Sequence, residues 1–580
     1  MHRHGAHLLD ATSARFALWA PDARNVSLHL EQQPAIALLP EEGGWHTGIA
    51  PCQAGDRYHF CIDGQLQVAD PASRYQPEGV HGPSQVVDVH AYPWQHPWQG
   101  RPWHEAVIQE LHVGVLEGYS GVARHLPRLA ELGISAIELM PLGQFPGERN
   151  WGYDGVLPFA PQHSYGSPEQ LCALVDQAHG LGLMVMVDVV YNHFGPDGNY
   201  LHQYASAFFR QDRQTPWGAA IDFRRAEVRE YFIQNALMWL CDYRCDGLRL
   251  DAVHAIDQPD FLLELAQRVR AAVAPGRQVW LVLENEHNQA FLLEQGFDAQ
   301  WNDDGHNALH VLLTGETEGY YADYQQQPID KLARCLAEGF VFQGQANRHG
   351  TPRGEPSGHL APSAFVLFLQ NHDQIGNRAL GERLTRLCPP PALRAATGLL
   401  LLAPMIPLLF MGDDDGSCRP FLFFTDFHDE LADAVREGRR GEFAHFAAFA
   451  DPEQRAHIPD PNARHTFEAS RPSNQEVIAG WHGLYQQLLS LRQRHVIPHL
   501  PGSRALGAEV LGDKALTARW QLGNGHILRI DLNLAATPQA VALPAAERRL
   551  FDSSDTTHPD SALAAHSCVV SLLPPGQERP

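Results

Sequence analysis

Four apolar segments of this chain each run into an acidic residue: LMVMVDVV carries Asp188, DGLRLDAV carries Asp251, VWLVLENE carries Glu284 and AFVLFLQNHD carries Asp373. A carboxylate that ends an otherwise core-forming run is not explained by packing, and four gathered at one rim would make a cluster of like charges. That cluster suits cleavage of a glycosidic bond. The reaction needs one carboxyl held protonated to donate to the leaving oxygen and a second held ionised to attack the anomeric carbon. Arg249 stands two residues before Asp251, so on a strand both side chains leave the same face and the guanidinium favours the ionised carboxylate. Asp251 is therefore read as the nucleophile. Glu284 follows Val-Trp-Leu-Val-Leu, where desolvation beside other carboxylates raises its pKa, as a general acid requires. His193 and His372 offer donors to sugar hydroxyls, and Trp151 and Tyr153 offer flat apolar faces for a pyranose ring.

Strands must deliver these groups to one side. From Val107 onward, short and nearly continuous apolar runs alternate with helical patterns, as parallel strands buried on both faces do. Seven runs are clear, from VIQELHV and SAIELMP to MIPLLFMG, and a weaker one near Phe297 to Trp301 makes the eighth. The alternation predicts an α/β fold, a (β/α)8 TIM barrel, whose working groups sit at the C-terminal ends of its strands. One of its helices is predicted over 168–179, with Ser167 and Gln170 as a capping box and Pro168 in the first turn. Residues 1–95 alternate like an immunoglobulin-like β-sandwich, through Phe16, Leu18, Val26, Leu28, Tyr58 and Phe60. The barrel domain is placed at 96–495, opened by the Pro/Trp-rich AYPWQHPWQGRPW and closed by a helix over Val477 to Arg494. Residues 496–580 form an all-β domain, in which two alternating runs flank the turn pair Asn524-Gly525. The Gly/Pro-rich stretch 343–362 is a long loop of the kind that carries function.

Charge narrows the partners. The 580 residues hold 43 Lys+Arg and 67 Asp+Glu, a formal charge of −24, which repels nucleic acid and anionic membrane alike. The beginning, MHRHGAHLLD, has no apolar run of signal-peptide length, so a cytoplasmic location is expected. The nine Cys show no metal-type spacing, and neither a metal nor another cofactor is expected.

The segments DVVYNH at 188–193, DGLRLDAVH at 246–254, LEN at 283–285 and NHD at 371–373 resemble, in order and spacing, the four signature regions of the α-amylase family, glycoside hydrolase family 13. The resemblance implies Asp251 as nucleophile, Glu284 as general acid/base and Asp373 as the group that grips sugar hydroxyls in the transition state. It implies a retaining reaction, with the two working carboxyls ~5 Å apart. Longer stretches, among them FPGERNWGYDGV, QWNDDGHNALHVLLTGE, QNHDQIGNR and PFLFFTDF, are similar to the branch that hydrolyses the α-1,4 bond beside the terminal trehalose of malto-oligosyltrehalose. By motif position this implies substrate contacts at Arg249, His254, Asp303, Asp304, His306, His372 and Asn377. A branching or glucan-transferring relative with the same triad is the alternative, and a catalytically silent sugar-binding member is a third. The Asn192 position binds calcium in some relatives, but no ion is expected here.

Two departures from that branch carry expectations of their own. After LLFMG the chain has Asp413, Asp414 and Asp415, then Gly416-Ser417-Cys418-Arg419, where Glu-Glu and an aromatic would be usual. An outer stacking face is thereby lost, and the three Asp are read as a solvated acidic loop, not a cation site. Gly305 replaces an aromatic and should loosen a loop that clasps the trehalose end.

Overall fold

The structure is a computed structural model and describes residues 4–215, 218–473, 475–541, 543, 548–554 and 561–575. Eight parallel strands close into a barrel: β1 (Ile108–Leu111), β2 (Ala136–Leu139), β3 (Met184–Val189), β4 (Gly247–Leu250), β5 (Trp280–Leu283), β6 (Ala299–Trp301), β7 (Phe365–Leu367) and β8 (Ile406–Phe410). The weak sixth run is a true strand, and its pattern is faint because it holds only three residues.

Alternation along the strands fills the barrel in layers. Ile108, Ala136, Met184, Met186, Trp280, Val282, Ala299, Val366, Ile406 and Leu408 belong to one apolar cluster, all at most 1% exposed. Two residues further along β1, β2 and β3, facing the same way, stand Glu110, Glu138 and Asp188, and Arg249 joins them from β4 beside Asp188. Glu110 lies opposite Glu138 in the ladder, and Asp188 opposite Arg249. The barrel therefore carries an apolar plug below and a charged layer at its C-terminal mouth.

The helix over Pro168–Gly180 has the capping box and N1 proline that its sequence announces. The closing helix spans Trp481–His495 and begins later than its apolar pattern, because Val477 bridges to Ser417 and Gly480 takes a left-handed φ of 78° as the N-cap. Before the barrel, two antiparallel sheets face each other, with Phe16 of one against Tyr58 of the other at 5.0 Å. After it, a five-stranded sheet includes the expected hairpin, Ala515–Gln521 paired with Ile527–Asn533. Both flanking β regions are fastened to the barrel. Tyr231 Oη donates to Pro71 O at 2.6 Å, and Trp520 Nε1 donates to Leu336 O at 3.1 Å. Among the described residues, no helix is long and apolar enough to cross a membrane.

The stretch 343–362 is irregular for most of its length and tied down. Arg353 Nε donates to Glu286 O at 2.7 Å, and the Glu355 carboxylate accepts from Phe291 N at 3.1 Å. The loop is thus held against the chain that leaves β5.

Candidate active site

Arg249 organises the mouth. Its guanidinium lies over the Trp301 ring at 4.1 Å and is fully buried. One terminal nitrogen, Nη1, meets Asp188 at 2.6 Å and Asp251 at 3.0 Å, while Nη2 meets Glu284 at 2.7 Å. The two carboxyls required for glycoside chemistry are therefore ligands of the same cation. Asp251 follows β4 directly, and Asn192 Nδ2 donates to its second oxygen at 2.7 Å and to its main-chain carbonyl at 2.9 Å. The next residue, Ala252, has φ of 40°, a conformation costing about 1 kcal/mol or more for a side chain with Cβ. The turn aims Ala252 N at Glu284 Oε2, 2.9 Å away.

The ion pair with Arg249 and the hydrogen bond from Ala252 thus fall on the same oxygen of Glu284, which leaves Oε1 to carry a proton. Burial raises the Glu284 pKa to about 7, with Arg249 pulling against it and the charges of Asp251 and Asp373 adding to it. Asp251 is raised too. Burial outweighs the guanidinium there, so Arg249 does not hold this carboxyl below its ordinary value as the strand spacing suggests. Asp373 goes the other way. Burial opposes ionisation, but the adjoining His372 holds it below the ordinary carboxylate range.

Asp373 does not end a strand. It stands six residues beyond β7, in the first turn of the short helix His372–Gly376, whose N-cap Asn371 accepts from Asp373 N and Gln374 N. Asn377 Nδ2 donates to the Asp373 carboxylate at 3.1 Å. Tyr153 stacks on His372 at 5.1 Å and donates from Oη to Asp188 at 2.6 Å. His193 lies beneath, its Nε2 at 2.9 Å from Tyr153 O. His254 borders Glu284, and burial lowers its pKa, which keeps the ring neutral at pH 7.

Several residues named from sequence are not at the open surface. Trp151 is 4% exposed, donates to Leu422 O at 2.9 Å and packs flat on Phe421, so it supports the mouth and offers no free face. His306 is fully buried, with Nδ1 at 2.8 Å from Leu369 O and Nε2 at 3.2 Å from Tyr321 Oη. Asp304 accepts from Asn288 Nδ2 and from the backbone N–H of Val341 and Phe342, and Arg353 pairs with it at 3.2 Å. It anchors the 343–362 loop. Asp303, one residue earlier, is half-buried and faces the mouth, where burial and the charge of Glu284 push its pKa well above the ordinary value.

Gly305 does not loosen a loop. It lies in the first turn of the helix Asp303–Thr314, capped by Asn302, and a Cβ there would meet Leu367 Cδ1 at 2.8 Å. The small residue lets this helix pack close on β7. Nor are Asp413 and Asp414 solvated. Asp413 accepts from Gln370 Nε2 at 2.6 Å and Phe410 N at 2.9 Å, and Asp414 accepts from Gln109 Nε2 at 2.8 Å and Arg128 at 2.5 Å. The acidic tract is an ion-paired strap under the mouth.

Four residues have places at the mouth that the sequence reading did not give them. Asn192 sits inside a quoted motif but bears on the nucleophile only through the fold. Glu110 and Glu138 are single carboxylates within the apolar runs VIQELHV and SAIELMP, a signal that could have been read. Tyr320 is 47% exposed on the short helix Gly319–Tyr324, within reach of the charges of Asp373 and Asp303.

The α-amylase catalytic domain matches residues 112–217, and a domain of unknown function, DUF3459, matches residues 503–570. A malto-oligosyltrehalose trehalohydrolase of Deinococcus radiodurans is 41% identical over 84% of this chain and 82% of its own length. The chain belongs to the malto-oligosyltrehalose trehalohydrolase family. A trehalohydrolase of Mycobacterium tuberculosis is 34% identical over 96% of this chain and 98% of its own. A 1,4-α-glucan branching enzyme of Bacillus caldolyticus matches less, at 31% identity over 58% of each. The crystal structure of a Salmonella typhimurium chain assigned to the α-amylases superposes with a TM-score of 0.93 at 40% identity, covering 99% of this trehalohydrolase-family chain and 100% of the other.

Proposed function

We propose that this chain hydrolyses the α-1,4-glucosidic bond next to the terminal trehalose unit of a malto-oligosyltrehalose, with retention, releasing trehalose and a malto-oligosaccharide. The supporting observation is the pair Asp251 and Glu284 on one buried guanidinium, in a chain 41% identical to a trehalohydrolase. Glu284 gives its proton from Oε1 to the glycosidic oxygen as that C–O bond breaks, and an Asp251 oxygen bonds to the anomeric carbon. Trehalose leaves with the proton. Glu284, now ionised, takes a proton from water, the water oxygen bonds to the same carbon, and the bond to Asp251 breaks to free the malto-oligosaccharide. Asp373 and His372 grip hydroxyls of the sugar that becomes positively charged.

The leaving group lies on the side of its proton donor. Trehalose therefore belongs beyond Glu284, toward His254, Asp303 and Tyr320. Asp303 offers an acceptor for its hydroxyls and Tyr320 an exposed ring for an apolar sugar face. No metal or cofactor has a part in these steps.

Incubation with maltotriosyltrehalose and, separately, with a plain maltodextrin of similar length, followed by chromatography, tests this reading. Trehalose and maltotriose should appear from the first, and the second should be cleaved far more slowly. Equal rates, or longer and branched products from the maltodextrin, would replace the trehalohydrolase with a glucan hydrolase or transferase.

A further inference from the structure

His372 has a carboxylate at each ring nitrogen. Nδ1 lies 2.5 Å from Glu110 Oε1, Nε2 lies 3.4 Å from Asp373 Oδ1, and the backbone N–H of His372 donates to Glu110 Oε2 at 3.0 Å. A neutral imidazole has one N–H, so with two ionised carboxylates one of its lone pairs would face a negative oxygen. The ring and Glu110 are both only 1% exposed, so water cannot relieve that contact.

We infer that Glu110 is a positioning residue for the reaction: from the charged layer at the barrel mouth it fixes His372 as an imidazolium, whose positively charged Nε2–H is turned toward Asp373 and a sugar hydroxyl throughout the working pH range. The inference rests on the glycosidase reading of the mouth but not on the choice of trehalose.

The surroundings agree. Groups facing the ring or its carboxylates are Glu110 on β1, Glu138 on β2, Asp188 on β3, Arg249 on β4 and Asp373 on its own helix, with His112 just past β1 and Tyr153 stacked on one face. Glu138 is fully buried, and among the described residues neither of its oxygens has a hydrogen-bond partner. Burial and the charges of Glu110 and Asp188 push its pKa well above the ordinary range. Glu110 is the carboxyl in direct contact with Nδ1 behind the ring. Burial lowers the His372 pKa, but Glu110 and Asp373 together raise it well above the usual value.

Glu110→Gln keeps the shape and removes the charge. An amide can donate to Nδ1, so a neutral ring that keeps its Nε2–H but has lost the positive charge becomes acceptable, and its pKa returns toward ~6.5. On any α-glucan that the protein cleaves, kcat of the variant relative to wild type should fall about 30-fold between pH 5.5 and pH 8, the loss of charged ring expected from a pKa of ~6.5. KM should move much less. A ratio that stays constant across this range would make Glu110 a structural residue only and overturn the inference. Neutron diffraction on deuterated wild-type crystals at pD ~8, without substrate, reads the ring directly and serves if the variant does not fold. Deuterium on both ring nitrogens is expected, and a single deuteron would overturn the proposal even if the trehalose assay succeeds. Conversely, a doubly deuterated ring upholds it even if that assay fails.

Discussion

Arg249 sets two carboxyls to different tasks through unequal surroundings. Asp251 has donors on both oxygens, from Arg249 and Asn192, whereas Glu284 receives Arg249 and Ala252 on a single oxygen. The less fully bonded carboxyl is the one pushed to about 7. Because Glu284 must be protonated to donate, and its pKa is raised, the donor form is present below pH 7 and lost above it. The kcat/KM profile should therefore show an alkaline limb near pH 7. Glu284→Gln should remove that limb and reduce turnover by about 10²–10⁴-fold, as loss of a general acid does. A wild-type profile flat to pH 9 would remove Glu284 from that role. Asp251 and Glu284 were legible as residues because each ends an apolar run. Their pKa order was legible only in part, since the burial that raises Asp251 as well is a property of the closed mouth.

The loop after β8 shows how an element can be misread from composition. Three successive Asp look like surface, yet Asp414 is fully buried between Gln109 of β1 and Arg128 of the helix Gly118–Leu132. It joins the last strand of the barrel to the first strand and its following helix. Asp414→Ala would strand the buried Gln109 amide and should cost about 1–3 kcal/mol. A lowered denaturant midpoint with KM unchanged is the expected measurement; an unchanged midpoint would return the tract to solvent. Gly305 was misread for a similar reason. The residue type suggests freedom, but position in a capped helix against Leu367 makes it a point of close approach.

At the scale of the molecule, one buried apolar cluster runs through both flanking β regions and the barrel, from Phe16 and Trp45 through Phe208 and Tyr231 to Trp520 and Val570. Trp19 packs against Phe208 at 6.2 Å, and Asp22 accepts from Ser206 N at 2.7 Å across the same seam. Removing residues 1–95 would expose this face, so the truncated chain should aggregate, and the intact chain should unfold in a single calorimetric transition. A soluble truncated protein with full activity would show the first sheets to be an independent attachment. The charge of −24 has no partner of its own in the neutral sugar that the proposed reaction takes.

Periodicity and chain order alone determined the barrel, its flanking β regions and the acidic residues Asp188, Asp251 and Glu284 at the ends of their runs, because alternation of apolar side chains is a local record of which face is buried. The same local record identified the capping box at Ser167 and the hairpin at Asn524-Gly525. Tertiary structure alone decided which of the polar residues meet. Glu110 and His372 are 262 positions apart in the chain and 2.5 Å apart in space. Trp151 and His306 have the right chemistry for a sugar, but their neighbours cover them. Burial, charge state and the partner of each hydrogen bond depend on contacts between distant segments, and no spacing within a single segment encodes them.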